Sequence, residues 1–398
     1  IGVMFCAEFY IHIEEKRMKE WAVATVLFVA SLAVGFGTNM GNTFANQEYM
    51  TQTMRGGHSD LVREGEESPA SGLDLEYATS WSYGIDETLT FLIPNFMGGS
   101  SAYDAGTGSQ LYKELINNGA APAVAREFCS SAPMYWGDQA FTAGPVYIGA
   151  IVFLLFILGL MIVKGPYKWA LLVATLFSVF LSWGYHFMPL TKLFFNYFPL
   201  YNKFRAVSSI LIVAEITMPL LGFLAIREIW EKKIPVAELL RKLSCANVFS
   251  GGICLFVAIA GKNIFSFICA GDAQYFNQIP EWLSKAIVAQ RGQMQAADAF
   301  RSLIFILLGA LAIFFFSKGK LPPKLFAPLL GVLIIADMWP VDRRYFNDSH
   351  FTSPRTFERQ FALQPYEEII LQDKDPHFRV FNLSQPAFSE NRTSYYLK

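Results

Sequence analysis

Eight apolar stretches, separated alternately by short basic connectors and by longer polar segments, limit what this chain can fold into. Several approach the roughly 20 residues that a helix needs to cross about 30 Å of hydrocarbon. A composition that is 53% hydrophobic and only 16% charged agrees with this pattern. The sequence therefore predicts an all-α polytopic membrane protein with about eight transmembrane helices. These helices are expected at residues 1–13, 21–37, 143–163, 169–183, 206–226, 245–261, 302–317 and 321–339.

The charges of the connectors predict how the helices are oriented. Lys and Arg concentrate on one side of the membrane, in connectors 14–20, 164–168, 227–242 and 318–324. By the positive-inside rule, that side is the cytoplasm. The opposite, extracytoplasmic side then holds a large loop at 38–142 and smaller loops at 184–205 and 262–301. The formal net charge of −1 gives no reason to expect nucleic acid as a partner. Membrane lipids are the expected surroundings.

The chain changes character after its last apolar stretch, which divides it into a transmembrane region at 1–341 and a second region at 342–398. In the second region, Pro365 stands at the first turn of an expected helix, and 378–383 alternates like a strand. We expect this to be the start of an extracytoplasmic α/β domain. Because the chain begins inside an apolar run and ends in a polar one, we interpret it as an internal fragment of a longer protein.

Three segments of the outer loops have patterns that suggest local structure. Residues 77–99 mix aromatic and acidic side chains and reach Pro94 and Gly98, which predicts a helix lying at the membrane interface. Residues 98–109 lack a hydrophobic period and fit either a flexible link or a lid over a substrate. Residues 279–300 show helical spacing of apolar positions, which predicts an amphipathic interfacial helix.

Two features carry charge where charge is unusual. Lys192, Lys203 and Arg205 lie among aromatic residues on the side where basic residues are disfavoured. They suit either the phosphate of a lipid or an aromatic belt whose cations reach ordinary headgroups.

Glu215 falls near the middle of an apolar stretch, four residues before Pro219. It is either a functional intramembrane acid or a protonated side chain bonded to a neighbouring helix.

The residues at 81–99, 135–147, 201–209, 337–345 and 377–383 together resemble the YfhO-like family of bacterial integral membrane proteins, in the form common in Bacteroidetes. The resemblance covers essentially the whole chain. It implies a GT-C type glycosyltransferase fold in the bacterial cytoplasmic membrane, with extracytoplasmic loops forming the active site and a soluble C-terminal domain outside. The family's catalytic acid lies in a first outer loop, which we expect upstream of this fragment. No residue here is therefore expected to inherit that role.

The resemblance also implies a reaction, in which a sugar moves from an undecaprenyl-phosphate donor to an extracytoplasmic envelope glycopolymer or lipid. Arg205, Lys203 and Lys192 would hold the lipid phosphate. Asp86, Glu87 or Asp138 would bind the acceptor or a divalent cation, Mg²⁺ or Mn²⁺. Two other functions stay open: a transporter or lipid flippase that uses Glu215 as a coupling group, and a noncatalytic membrane scaffold.

Overall fold

The computed structural model describes residues 2–51, 53–56, 72–375, 378, 380 and 382–383. In these residues every regular element is a helix, and one isolated bridge, between Tyr103 and Ala132, pairs extended backbone. Five of the described helices are long and apolar enough to cross a membrane. A sixth span exists if Pro166–Ser182 and Gly184–Tyr197, which are bent by 112°, count as one. The helical membrane architecture is confirmed, and the described residues hold five or six candidate spans where the sequence predicts about eight.

The α-helices are α1 (Gly2–Glu14), α2 (Met18–Thr38), α3 (Met40–Met50), α4 (Leu75–Ala78), α5 (Gln110–Asn117), α6 (Pro122–Ser130), α7 (Ala150–Ile162), α8 (Pro166–Ser182), α9 (Met188–Tyr197), α10 (Ile212–Trp230), α11 (Val236–Ile264), α12 (Asp272–Phe276), α13 (Glu281–Ser317), α14 (Pro323–Tyr345), α15 (Pro354–Gln360) and α16 (Pro365–Ile370). Short 3-10 helices occur at Met54–Gly56, Asp86–Phe91, Gly184–Phe187, Tyr201–Lys203, Val207–Leu211 and Asp348–His350.

The chain forms two compact units, Ile1–Tyr345 and Phe346–Lys398. The second unit contains α15 and α16, and α16 begins with Pro365 at its first turn, as the sequence predicts. Its described residues contain no strand, so the expected α/β domain is not supported. Residues 378, 380, 382 and 383 of the strand predicted at 378–383 are described, and none of them is in a strand. Everything from residue 384 onward lies outside the described residues.

Helix α7 forms the centre of the first unit. Most of its side chains are buried, and it packs against α10, α11, α13 and α14. Glycine lets α7 and α10 approach closely, because a Cβ on Gly159 would lie 2.9 Å from the carbonyl oxygen of Leu221. Gly222 of α10 faces Leu155 of α7 in the same way. Small residues at a helix crossing are the usual means of close packing inside a membrane.

The start of α7 differs from the prediction, since the helix begins at Ala150 rather than at residue 143. Gly149 has a φ of 105°, which a helix does not permit, and residues 145–149 have no regular secondary structure. The carboxylate of Asp337 in α14 accepts hydrogen bonds from the Ala150 N–H at 2.8 Å and from Tyr147 Oη at 2.7 Å. Arg301 of α13 pairs with the same carboxylate at 3.0 Å. A buried ion pair thus fixes the first turn of α7.

The helix predicted at 279–300 is present from Glu281 onward, but it is the first half of the long α13 and not a separate interfacial helix. This helix runs unbroken for 37 residues, a length of about 55 Å. Leu283, Ile287 and Met294 are buried in a cluster with residues of α5 and α6 rather than presented to lipid. Helical spacing of apolar residues looks the same whether a lipid surface or another helix covers them.

The interfacial helix predicted at 77–99 is also wrong. The segment contains only the short α4 and the 3-10 helix Asp86–Phe91, and Leu92, Ile93 and Phe96 are fully buried in the main core. The following residues are anchored, so the flexible link is not observed. The Ser101 N–H donates to the Thr142 carbonyl at 2.9 Å, and Tyr103 forms the bridge with Ala132.

The residues of the large loop meet those of the smaller loops at one end of the bundle. Trp183 Nε1 donates to Thr88 Oγ1 at 3.0 Å, and the Leu73 N–H donates to the Asn202 carbonyl at 2.8 Å. We call this end, formed by residues 72–149, 183–211 and 265–280, the loop face. At the other end, the ring of Trp230 stacks on that of Phe316, which brings two of the basic connectors together.

Candidate functional site

Glu87 is the most buried carboxylate of the loop face, with 2% of its surface exposed. It accepts hydrogen bonds from Tyr135 Oη at 3.0 Å, Gln139 Nε2 at 3.0 Å and the Gly84 N–H at 3.1 Å. Burial raises the pKa of this carboxyl to about 7, even though all three hydrogen bonds favour its ionised form. A carboxyl that titrates near neutral pH can both accept and release a proton under physiological conditions.

Two further carboxylates, Asp86 and Asp138, lie beside Glu87. A Cβ on Gly84 would be 3.0 Å from Asp138 Oδ2 and 3.1 Å from Asp86 Oδ1, so both carboxylates reach the same stretch of backbone. Burial raises the pKa of Asp86, and the negative charge of Asp138 adds to that effect. The three acids predicted as candidates from the sequence are therefore brought together. We call Asp86, Glu87, Asp138 and His186 the acid-base cluster.

His186 completes the cluster, because its Nε2 lies 3.2 Å from Asp138 Oδ2. The two atoms are within ion-pair distance, although they are not aligned as a hydrogen bond. His186 belongs to the 3-10 helix that follows α8, at the bend between α8 and α9. This bend is fixed by Gly184, whose φ is 48° and where a Cβ would lie 1.9 Å from Ser82 Oγ.

Arg291 of α13 holds the strip of chain that supplies Tyr135. Its guanidinium is fully buried and makes a two-pronged ion pair with Asp272, at 2.5 and 2.9 Å. It also donates to the carbonyl oxygens of Pro133 at 2.7 Å and Tyr135 at 3.2 Å. Because the Tyr135 hydroxyl bonds Glu87, the ion pair between α13 and α12 supports the acid-base cluster indirectly.

Arg205 lies on an aromatic surface of the same loop face. Its guanidinium is 4.7 Å from the ring centre of Trp81 and donates to Tyr77 Oη at 2.6 Å. Trp81 Nε1 in turn donates to the Phe141 carbonyl at 3.2 Å, in the segment that carries Asp138. The Arg205 side chain is exposed, and a guanidinium has five N–H donors in a fixed fork. It therefore retains donors for an anion.

Lys203 and Lys192 do not share the position of Arg205. Lys203 is the last residue of the 3-10 helix Tyr201–Lys203, whereas Arg205 lies after it, outside any helix. The Lys203 carbonyl accepts from Arg55 at 3.0 Å. Lys192 is exposed on α9, and no contact within the described part of the chain joins it to Arg205.

Glu215 lies in the first turn of α10, on its exposed side. The helix continues without a break through Pro219, from Ile212 to Trp230. Glu215, Pro219 and Asp342 line one cavity of about 470 Å³ between α7, α10 and α14. This places Glu215 within a candidate span and apart from the acid-base cluster.

Sequence reasoning does not identify His186, Tyr135, Gln139 or Arg291 as members of the site. His186 is the one with a signal, since it follows a predicted span on the same side as Asp138. The other three act through contacts with residues far away in the chain, which spacing cannot reveal.

The described residues contain no group of three or more His, Cys, Asp or Glu side chains that could hold a metal ion.

The fold and the cluster define a helical membrane protein with an acid-base site on its loop face. Comparison with known proteins gives no closer assignment, since no family model, no curated protein and no solved structure matches the chain.

Proposed function

We propose that this protein is a membrane glycosyltransferase that moves a sugar from an undecaprenyl-phosphate donor to an extracytoplasmic envelope glycopolymer or lipid. The observation that carries the proposal is Glu87, a buried carboxyl with a pKa of about 7, beside the Asp138 and His186 pair and on the same loop face as an exposed Arg205. The resemblance to the YfhO-like family, and a location in the bacterial cytoplasmic membrane, belong to the same proposal.

Glu87 has the properties of a general base for such a transfer. In its ionised form it takes the proton of the acceptor hydroxyl, and the resulting oxygen forms a bond to the anomeric carbon of the sugar. The bond between that carbon and the lipid-phosphate oxygen breaks, and its electron pair leaves on undecaprenyl phosphate. Tyr135 and Gln139 orient the carboxylate through their hydrogen bonds at 3.0 Å. His186, whose Nε2 lies 3.2 Å from Asp138 Oδ2, places a second hydrogen-bonding group beside the carboxylates.

Arg205 is the candidate for the donor phosphate. The aromatic surface of Trp81 and Tyr77 supports one side of its guanidinium, and an exposed edge of the fork suits two phosphate oxygens. Lys203 and Lys192 belong to the same loop face and would add positive potential around the site. Apolar side chains around the loop face would accompany the lipid portion of the donor.

The resemblance implies Mg²⁺ or Mn²⁺ as well, but the donor groups of the acid-base cluster do not fit a metal site. Asp138 is already paired with His186, Glu87 already accepts three hydrogen bonds, and no three-ligand group exists among the described residues. We therefore route no step of the transfer through a cation.

A transporter or lipid flippase is the second candidate, and one observation favours it. Glu215 and Pro219 line the same intramembrane cavity, as expected for a group that changes its environment during transport. A noncatalytic scaffold requires neither this cavity nor the acid-base cluster to act on a substrate.

The test is the release of undecaprenyl phosphate from a radiolabelled undecaprenyl-phosphate sugar, with the full chain in nanodiscs and an envelope extract as acceptor. Asp138→Asn should lower the rate by about 10²-fold, because His186 loses its charged partner. Glu127→Gln, which changes an exposed carboxylate on α6, is the matched control and should have no effect. Donor turnover that Asp138→Asn leaves at the wild-type rate, with normal protein levels, would rule out catalysis by this cluster.

A further inference from the structure

The cavity between α7, α10 and α14 combines apolar walls with two carboxylates. Its volume is about 470 Å³, within the roughly 300–1,000 Å³ that small-ligand sites occupy. The apolar part of its lining includes Ile148, Val152, Leu155, Phe223, Ile226 and Met338. Glu215 and Asp342 supply the carboxylates, one from α10 and the other from the loop-face end of α14.

Neither carboxylate has a partner within the described residues. There, no hydrogen bond or ion pair is made by the side chain of Glu215 or by that of Asp342. The hydroxyl of Tyr147, which also lines the cavity, donates to Asp337 and so satisfies neither of them. A carboxylate in or beside hydrocarbon is costly and normally pairs with a cation or another polar group. Both residues are exposed as well as unpaired, so their carboxylates are open to a positively charged ligand.

A second apolar cavity allows a comparison of how the protein satisfies a carboxylate in such a place. It measures about 520 Å³, lies among α1, α2, α8 and α10, and contains one carboxylate, Glu8. That carboxylate is satisfied within the protein, because Tyr167 donates a hydrogen bond to it and His12 lies 3.5 Å away. The two cavities are similar in size, but the carboxylate of the second is paired within the protein. Glu215 and Asp342, in the first cavity, are unpaired in the described structure.

We propose that the cavity between α7, α10 and α14 binds an amphiphile whose head is a protonated amine. The ammonium group pairs with Glu215 and Asp342, and the alkyl chain lies along the apolar wall and leaves past Phe223, whose side chain is 66% exposed at the rim. An anionic lipid is excluded by charge, so this site is distinct from the phosphate site proposed at Arg205. The inference does not depend on sugar transfer, because binding requires no donor.

The test uses dodecylamine, dodecanol and dodecyl phosphate, each titrated into the full chain in a neutral detergent, with bound molecules counted by native mass spectrometry. Dodecylamine should bind saturably at one site, and the other two should bind at least about tenfold more weakly. The double variant Glu215→Gln, Asp342→Asn should lower the affinity for the amine to that for the alcohol. Glu8→Gln, in the other cavity, should leave amine binding unchanged.

A third variant protects the test against a folding defect. Met338→Trp fills the cavity while keeping both carboxylates, and it should remove site binding of amine and alcohol alike. If the wild type binds dodecanol as tightly as dodecylamine, the chain is only partitioning into an apolar groove and the proposal is wrong. The proposal is equally wrong if the folded double variant, or Met338→Trp, retains the amine affinity of the wild type.

Discussion

His186 Nε2 lies 3.2 Å from Asp138 Oδ2, and this pair joins the segment before α7 to the bend after α8. The contact closes the α7 and α8 hairpin at the loop face and leaves Glu87, with its raised pKa, next to a second acid-base pair. The two side chains are partly exposed, so their attraction contributes less to stability than to the arrangement of charge.

The pair predicts a coupled effect on catalysis. Asp138→Asn and His186→Gln should each slow sugar transfer, and the double variant should be little slower than either single one. The coupling free energy from the double-mutant cycle should then approach the cost of one single change, about 2.7 kcal/mol for a 10²-fold loss of rate. The measurement is donor turnover for the four proteins at equal amounts in nanodiscs. Strictly additive effects would mean that the two residues act separately.

Glu87 predicts a pH dependence of stability. Its pKa is 4.5 in the unfolded reference and about 7 when folded, because burial disfavours the charged form. The folded state then binds the proton more tightly, so the stabilisation is fully present below pH 4.5 and is lost as the pH rises through 7. The difference corresponds to about 3 kcal/mol. Glu87→Gln removes this loss and should raise the thermal stability relative to wild type at about pH 8 but not at about pH 4.5.

Heat denaturation of the two proteins in detergent, followed by the loss of monomer on size exclusion, measures the effect. Glu127→Gln, at an exposed site on α6, is the control that should follow the wild type at every pH. Parallel wild-type and Glu87→Gln curves across this pH range would show that Glu87 keeps an ordinary pKa.

Arg205 predicts a difference between the basic residues of the loop face. Arg205→Ala should weaken binding of the undecaprenyl-phosphate sugar by roughly 1.5–3 kcal/mol, or about tenfold to a hundredfold. Arg205→Lys should not restore it, since a lysine offers a point charge in place of a two-pronged donor. Lys192→Ala, on exposed α9, is the comparison and should do less. Equal losses for Arg205→Ala and Lys192→Ala would indicate a diffuse potential instead of a phosphate contact.

Orientation in the membrane can be tested with single cysteines in a cysteine-free background. Cys129 itself is unsuitable because it is buried, but Ser130 is exposed on α6 and Lys232 is exposed in a basic connector. A membrane-impermeant thiol reagent should label Ser130→Cys in intact spheroplasts and Lys232→Cys only after permeabilisation. The reverse pattern would invert the topology and place the acid-base cluster in the cytoplasm.

The sequence identifies most membrane helices because a long apolar run rarely occurs outside a membrane span. It cannot determine what covers an amphipathic face, so Leu283 and Ile287 are predicted to face lipid when they pack against α5 and α6. The aromatic residues around Phe96 are misassigned for the same reason, since a membrane interface and a protein core accept the same side chains.

The sequence likewise identifies some residues of the candidate site and misses others. Asp86, Glu87 and Asp138 are identifiable because acids beside aromatic anchors on outer loops are unusual, and the fold brings them together. The position of Arg205 cannot be foreseen, because its contacts with Trp81 and Tyr77 join residues far apart in the chain. The role of His186 is not predictable either, because its pairing with Asp138 depends on the bend after α8.

The pH dependence of sugar transfer tests the central claim most directly, because it reports the proton that Glu87 must accept. For the wild type, kcat/KM should rise with pH through an apparent pKa near 7 and then level off, as the carboxyl ionises. Glu87→Gln should lower kcat/KM by about 10²-fold and lose the rising limb. A Glu87→Gln protein that retains both the wild-type rate and the rising limb would contradict the assignment of Glu87 as the base.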